Sequence, residues 1–143
     1  MCSSDLRHSR TARGIEDFAA RDAGLDNQVT AADLAGLFGA ITRSRLAGPA
    51  TCTAMLDVLF RQERGEDLAA GLPPGTRIAH KNGWVRGVRH GAGMVFPDDA
   101  PPYAVVVCTS AAGTTGDDEA ACRLIARISA AAWEARHRLG PTG

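Results

Sequence analysis

Between Thr76 and Thr109 the sequence offers three β-like runs with very little chain between them. The runs are Thr76 to Trp84, Val88 to Phe96 and Tyr103 to Thr109, the last almost continuously apolar. The second connection, Pro97-Asp98-Asp99-Ala100-Pro101-Pro102, has the composition of a turn. Links this short cannot contain the crossover that parallel strands need, so the runs predict an antiparallel meander. Leu72-Pro73-Pro74-Gly75 stops helical structure just ahead of it.

The chain before that stop reads as helical. Residues 13–24 form a weak pattern, a short helix or loop ending at Gly24. Thr30 is placed to cap a stronger helix, with Asp33 three residues on as a variant of the capping box. The apolar set Leu34, Leu37, Phe38 and Ile41 follows the helical period. Gly48-Pro49 opens a further helix that carries Met55, Leu56 and Leu59 on one face, and Arg61 to Asp67 reads as a charged surface segment. After the strands, Asp117-Asp118-Glu119 opens a helix over residues 117–137. Its stripe is Ala121, Leu124, Ile125, Ile128 and Ala132, and acid first with base last suits the helix dipole. The fold class is α+β, one domain in 143 residues.

Composition narrows the function. Net charge is zero and the basic residues are scattered, so no footprint for nucleic acid is visible. No apolar run approaches the ~20 residues of a membrane span. Residues 1–6, Met1-Cys2-Ser3-Ser4-Asp5-Leu6, read as a non-native leader of the kind produced by translating a sequencing adapter. The remaining Cys52, Cys108 and Cys122 share no metal-binding spacing and read as buried, inert thiols. His80 and His90 could meet across neighbouring strands as metal ligands, but two histidines without further ligands are ordinarily structural. Trp84 and Trp133 read as packing residues.

One residue departs from the composition. Lys81 is the only lysine beside fifteen arginines, within Arg77-Ile78-Ala79-His80-Lys81-Asn82-Gly83-Trp84. An ammonium is a compact charge with three donors and a tunable pKa, which a guanidinium cannot replace. Asn82-Gly83 admits two readings. As a two-residue type I′ turn it would make Lys81 an exposed strand-end charge. Alternatively the strand runs through Gly83 and reverses at Val85-Arg86-Gly87.

Lys81-Asn82-Gly83 resembles the Lys-Thr/Ser-Gly element of serine β-lactamases and penicillin-binding proteins. The lead-in Ala70-Gly71-Leu72-Pro73-Pro74-Gly75-Thr76-Arg77-Ile78-Ala79-His80 is similar to theirs, as are Gly87-Val88-Arg89-His90 and Ala92-Gly93-Met94-Val95 in the next strand. Val29 to Leu34 and Met55 to Leu59 resemble two of the family's helices. The resemblance spans roughly residues 10 to 137 and favours the reversal at Val85–Gly87. It also implies a partner strand for Tyr103 to Thr109 from outside this sequence. The family's Ser-x-x-Lys and Ser-x-Asn elements are not in the chain, which reads as residues 7–143 of a C-terminal portion of the catalytic domain. Glu16 is the nearest counterpart of the family's loop glutamate, but no Glu-x-x-x-Asn frame supports it, and it is assigned no role.

The resemblance implies roles. Lys81 would be catalytic, tuning proton transfer at the nucleophile. Gly83 would admit a substrate amide close to the strand, Trp84 N–H would be one oxyanion donor, and Arg89 would hold a substrate carboxylate. Asn82 would bind substrate too, though the family carries Thr or Ser there. The implied substrate is a β-lactam or peptide-like amide, with no metal or cofactor, and the family is often secreted or periplasmic. The alternatives are a carboxypeptidase- or esterase-like relative, or a non-catalytic binding module that kept the fold.

Overall fold

The computed structural model describes residues 6–85, 87–110 and 118–139. Most of the leader expected at residues 1–6, together with Arg86 and Asp117, lies outside them. The sheet has three strands in the order β1-β2-β3, all antiparallel: β1 Arg77–Val85, β2 Val88–Phe96 and β3 Tyr103–Ser110. The meander read from the sequence is therefore present, with strand ends shifted by a residue at most. Val85 pairs with Val88, so β1 runs through Asn82 and Gly83 and reverses between those two valines. Gly87 supplies the left-handed backbone there, φ 76°. The type I′ reading of Asn82-Gly83 is excluded.

Side chains alternate across the sheet, so each face gathers its own core. On one face Ala92 and Met94 pack with Phe38, Leu34 and Leu59 from α2 (Ala31–Thr42) and α3 (Pro49–Phe60). On the other, Val95, Tyr103, Val105 and Val107 close over Leu68 and over Ile125 of α4 (Asp118–Glu134), flanked by Ile78, Leu72 and Trp133. Each fully buried side chain of this size contributes about 1.5–3 kcal/mol. A short 3₁₀ turn, Ala69–Gly71, lies against α4 backbone to backbone. A Cβ on Gly71 would stand 2.0 Å from the Ala126 carbonyl oxygen.

The weak pattern over 13–24 contains a five-residue helix, α1 (Phe18–Asp22), and Gly24 turns the chain at φ 85°. Thr30 caps α2 by accepting from Asp33 N–H at 3.1 Å. The reciprocal half of the capping box is relayed. Asp33 accepts from Ser9 Oγ (2.7 Å) and from the N–H groups of His8 and Arg7, while Ser9 Oγ accepts from Thr30 N–H. The Ser9 hydroxyl first, and those backbone donors with it, hold the Asp33 carboxyl below its ordinary range against the opposing effect of burial.

Two expectations are corrected. Arg61 to Asp67 is not uniformly surface, since Asp67 is fully buried. Cys108 is exposed rather than buried, because its side of β3 near Ser110 runs past the helices that cover the sheet's middle; Cys52 and Cys122 are buried.

Candidate functional site

Lys81 stands mid-way along β1, which is an edge strand, opposite Ala92. It is exposed, and its Nζ donates to the Asn82 carbonyl. Gly83, two residues on, shares its face and is also exposed; a Cβ placed there would meet nothing within 4 Å. That stretch of strand is open to an extended partner.

The other three residues of interest fall on the opposite face. Asn82 is 3 % exposed, and Trp84 pairs across the ladder with Arg89. Directly opposed residues of an antiparallel pair share a face, so Arg89 lies with Asn82 and Trp84, not with Lys81. The two cations to which the resemblance gives roles at one substrate, Lys81 and Arg89, are separated by the sheet. Arg89 is only 6 % exposed; its Nη2 donates to Glu66 Oε1 at 2.9 Å and to Asp67 Oδ2 at 3.4 Å. Its guanidinium carbon lies 5.2 Å from the Trp84 ring centroid. Arg64 sits over the same ring at 5.2 Å, and its Nη1 is 3.8 Å from Glu66. Trp84, 45 % exposed, is thus a platform for two guanidiniums rather than a core residue.

Asp67 is the hub. Its Oδ1 accepts from Leu68 N–H at 2.7 Å and its Oδ2 accepts from Asn82 Nδ2 at 3.1 Å as well as from Arg89. Asn82 Oδ1 in turn accepts from Gln62 Nε2 at 3.4 Å. Glu66 titrates below the usual carboxylate range because its own backbone N–H reaches the carboxyl, with the Arg89 hydrogen bond adding to this against partial burial. Burial works against the charge on Arg89, but Glu66 and the neighbouring negative groups outweigh it and the guanidinium is held more firmly protonated.

His80 shares this face and is 3 % exposed, with no hydrogen-bond partner for Nδ1. Burial lowers its pKa, as does Lys81, while Asp67 and Glu66 pull the other way. It borders a cavity of about 420 Å³ beside β1, lined also by Phe60, Gln62, Ala69 and Arg77, and by none of Lys81, Asn82, Gly83, Trp84 or Arg89. His90 pairs with Gly83 and so lies on the other face, which rules out a His80–His90 metal pair. Among the described residues no group of three or more His, Cys, Asp or Glu could hold a metal, and no described helix is long and apolar enough to cross a membrane.

Sequence reading missed Asp67 and Glu66, and it missed a closed loop near the start. Arg13 Nε and Nη2 donate to Asp26 Oδ1 at 2.9 and 2.6 Å, and Asn27 Oδ1 accepts from Ala12 and Arg13 N–H. Arg10 bridges to Gln28 beside them. These contacts bring the ends of the 13–26 segment together as in an Ω-loop, with Glu16 and α1 inside it.

A family model described as the Beta-lactamase enzyme family matches residues 1–135. The chain belongs to the β-lactamase enzyme family. Its fold agrees with solved members over nearly all of its length. The structure of PBP-A matches with TM-score 0.80 at 25 % identity, covering 94 % of this chain and 48 % of that one. A β-lactamase from Sphaerobacter thermophilus matches with TM-score 0.77 at 25 % identity, covering 95 % and 50 %. One from Chitinophaga pinensis is 21 % identical with TM-score 0.81, covering 91 % and 50 %, and speaks for the fold alone. This β-lactamase-family chain therefore spans about half the length of the structures it matches. No curated protein matches it in sequence.

Proposed function

We propose that the chain supplies one wall of the acylation site of a serine hydrolase that opens a β-lactam or peptide-like amide through an acyl-enzyme, with the nucleophile contributed by residues outside this sequence. The observation that carries this reading is the course of β1. The strand continues through Lys81-Asn82-Gly83 along the sheet edge, with Lys81 and Gly83 exposed on one face. An edge strand with an open glycine can receive a substrate amide as an added strand. Lys81 beside it would tune proton transfer at the nucleophile, and Trp84 N–H would donate to the developing oxyanion. PBP-A, which shares the fold, has a mutant captured as an acyl-enzyme complex with penicillin G, which supports the same chemistry here.

The test is to extend the reading frame upstream, express the longer protein and incubate it with a chromogenic β-lactam and with peptide and ester substrates. Mass spectrometry should find a covalent adduct on a serine outside residues 1–143. Lys81→Ala should slow its formation by two to four orders of magnitude, the usual range for proton-transfer groups. Lys81→Arg should also be slow; full activity in that variant would mean the lone lysine has no catalytic part. A binding module of the same fold would form no adduct with any substrate.

A further inference from the structure

Arg77 opens β1, and its guanidinium carbon lies 4.6 Å from the centroid of the Phe60 ring and 5.8 Å from that of Phe96. A guanidinium resting on aromatic rings spends its flat face on them and keeps its in-plane N–H donors for another partner. Among the described residues those two rings are its partners, and no carboxylate pairs with it. The same side chain borders the cavity of about 420 Å³ beside β1. His80 borders it too, 3 % exposed and with Nδ1 unpartnered, while Phe60, Ala69 and Ile78 supply apolar wall. Six residues of strand, about 20 Å at ~3.3 Å each, separate Arg77 from Gly83. The His80 side chain also points away from the face that carries Lys81 and Gly83.

We propose that this cavity is a ligand site separate from the acylation wall, taking a small carboxylate with a planar apolar body, its charge on Arg77 and the His80 imidazole and its body against Ile78 and Ala69. The volume falls in the range of roughly 300–1,000 Å³ usual for small-molecule pockets. A carboxylate matches the fork of donors along a guanidinium edge, and here the fork is already held in place by the rings behind it. In the unliganded chain burial keeps His80 neutral. An anion beside it favours the imidazolium, so binding takes up a proton. Asp67 and Glu66 also act on His80 and oppose a second anion, but Arg89 holds both, at 3.4 and 2.9 Å, and Lys81 adjoins His80 as a cation. The free guanidinium of Arg77 then decides the sign of the charge that the cavity accepts.

The 143-residue chain is titrated with sodium benzoate, sodium acetate and sodium phosphate at matched ionic strength. Calorimetry gives the affinity, and the His80 ring C–H resonances show where the ligand sits. Benzoate should bind saturably, at least tenfold tighter than acetate or phosphate, and should move the His80 titration to higher pH. Its affinity should rise as the pH falls from 7.5 to 5.5, by at most tenfold per unit for one linked proton. Arg77→Gln, at an exposed position whose change leaves the strand ladder intact, should weaken benzoate at least tenfold. His80→Gln should bind it with an affinity that no longer varies over this pH range. No saturable binding of benzoate, equal affinity for benzoate and acetate, undiminished binding by Arg77→Gln, or a pH dependence that survives His80→Gln would each overturn the proposal. None of these readouts involves an acyl-enzyme, so failure here leaves the proposed acylation wall standing, and failure there leaves this site standing.

Discussion

The side-chain amide of Asn82 reaches the buried carboxylate of Asp67 at 3.1 Å and at the same time accepts from Gln62 at 3.4 Å. A serine or threonine hydroxyl on the same strand position is too short to span both partners, which gives a physical reason for an amide here. Asn82→Ala leaves a fully buried carboxylate short of one donor and should cost about 1–3 kcal/mol, the penalty for an unsatisfied buried polar group. Asn82→Thr should recover only part of it. Urea midpoints of the three proteins would decide this, and equal midpoints would mean the amide is not a structural partner of Asp67.

Gly71 is a second place where one atom decides. Its Cα approaches α4 so closely that an added Cβ would sit 2.0 Å from the Ala126 carbonyl oxygen and 2.9 Å from Ala130 N. Neither is a side chain that can swing away. Gly71→Ala should force the 3₁₀ turn off the helix and destabilise by about 1–3 kcal/mol, as overpacking does. Gly83→Ala, with nothing within 4 Å, is the control and should leave the thermal midpoint nearly unchanged.

Those two residues also mark what the sequence could and could not convey. The meander was legible because Val88 to Phe96 and Tyr103 to Thr109 carry strand composition and the Pro97–Pro102 link permits only a turn. The course of β1 was not legible from local preference, since Asn-Gly is a strong turn signal. It went the other way because carrying the strand to Val85 buries Ala79, His80 and Asn82 against the neighbouring layers. Asp67 was hidden for a related reason. In a run as charged as Arg61-Gln62-Glu63-Arg64-Gly65-Glu66-Asp67, nothing local says that the final carboxylate turns inward to meet a strand more than ten residues later. Arg89 followed it. Its residue type and its distance from Lys81 were readable, but the partners that claim its charge lie at other points of the chain. The one available signal was the pairing of a Glu-Asp dipeptide with a strand arginine in a chain of zero net charge, and that pattern is common on surfaces.

His80 makes stability depend on pH near neutrality. Burial, the largest influence, keeps it neutral in the folded chain, and its pKa falls below the ordinary 6.5. The unfolded chain takes up a proton as the pH drops through 6.5, whereas the folded chain resists it, so stability should decline over that window and level off once the folded pKa is passed. The slope attributable to one such group is at most about 1.4 kcal/mol per pH unit. His80→Gln, which keeps a polar side chain but cannot titrate, should flatten this part of the profile. An unchanged slope would place the titrating group elsewhere.

The Asp99 carboxylate ties the turn between β2 and β3 to the end of the α4 segment, accepting from Arg136 Nε at 2.9 Å and Nη2 at 2.6 Å. Those hydrogen bonds bring its pKa from 3.8 to about 2, with His137 adding a smaller attraction. For an acid depressed in the folded state, the stabilisation is complete above the unfolded pKa and disappears as the pH falls through the folded one. Asp99→Asn should therefore be less stable than the wild type by a constant amount at neutral and mildly acidic pH. The gap should close between pH 3.8 and about 2. Because Asp99 is half exposed, the gap should also narrow in high salt. Parallel denaturation series over pH and ionic strength, with the carboxyl titration followed by ¹³C NMR, would check both. A carboxyl midpoint near 3.8 would show that the Arg136 contact does not persist in solution.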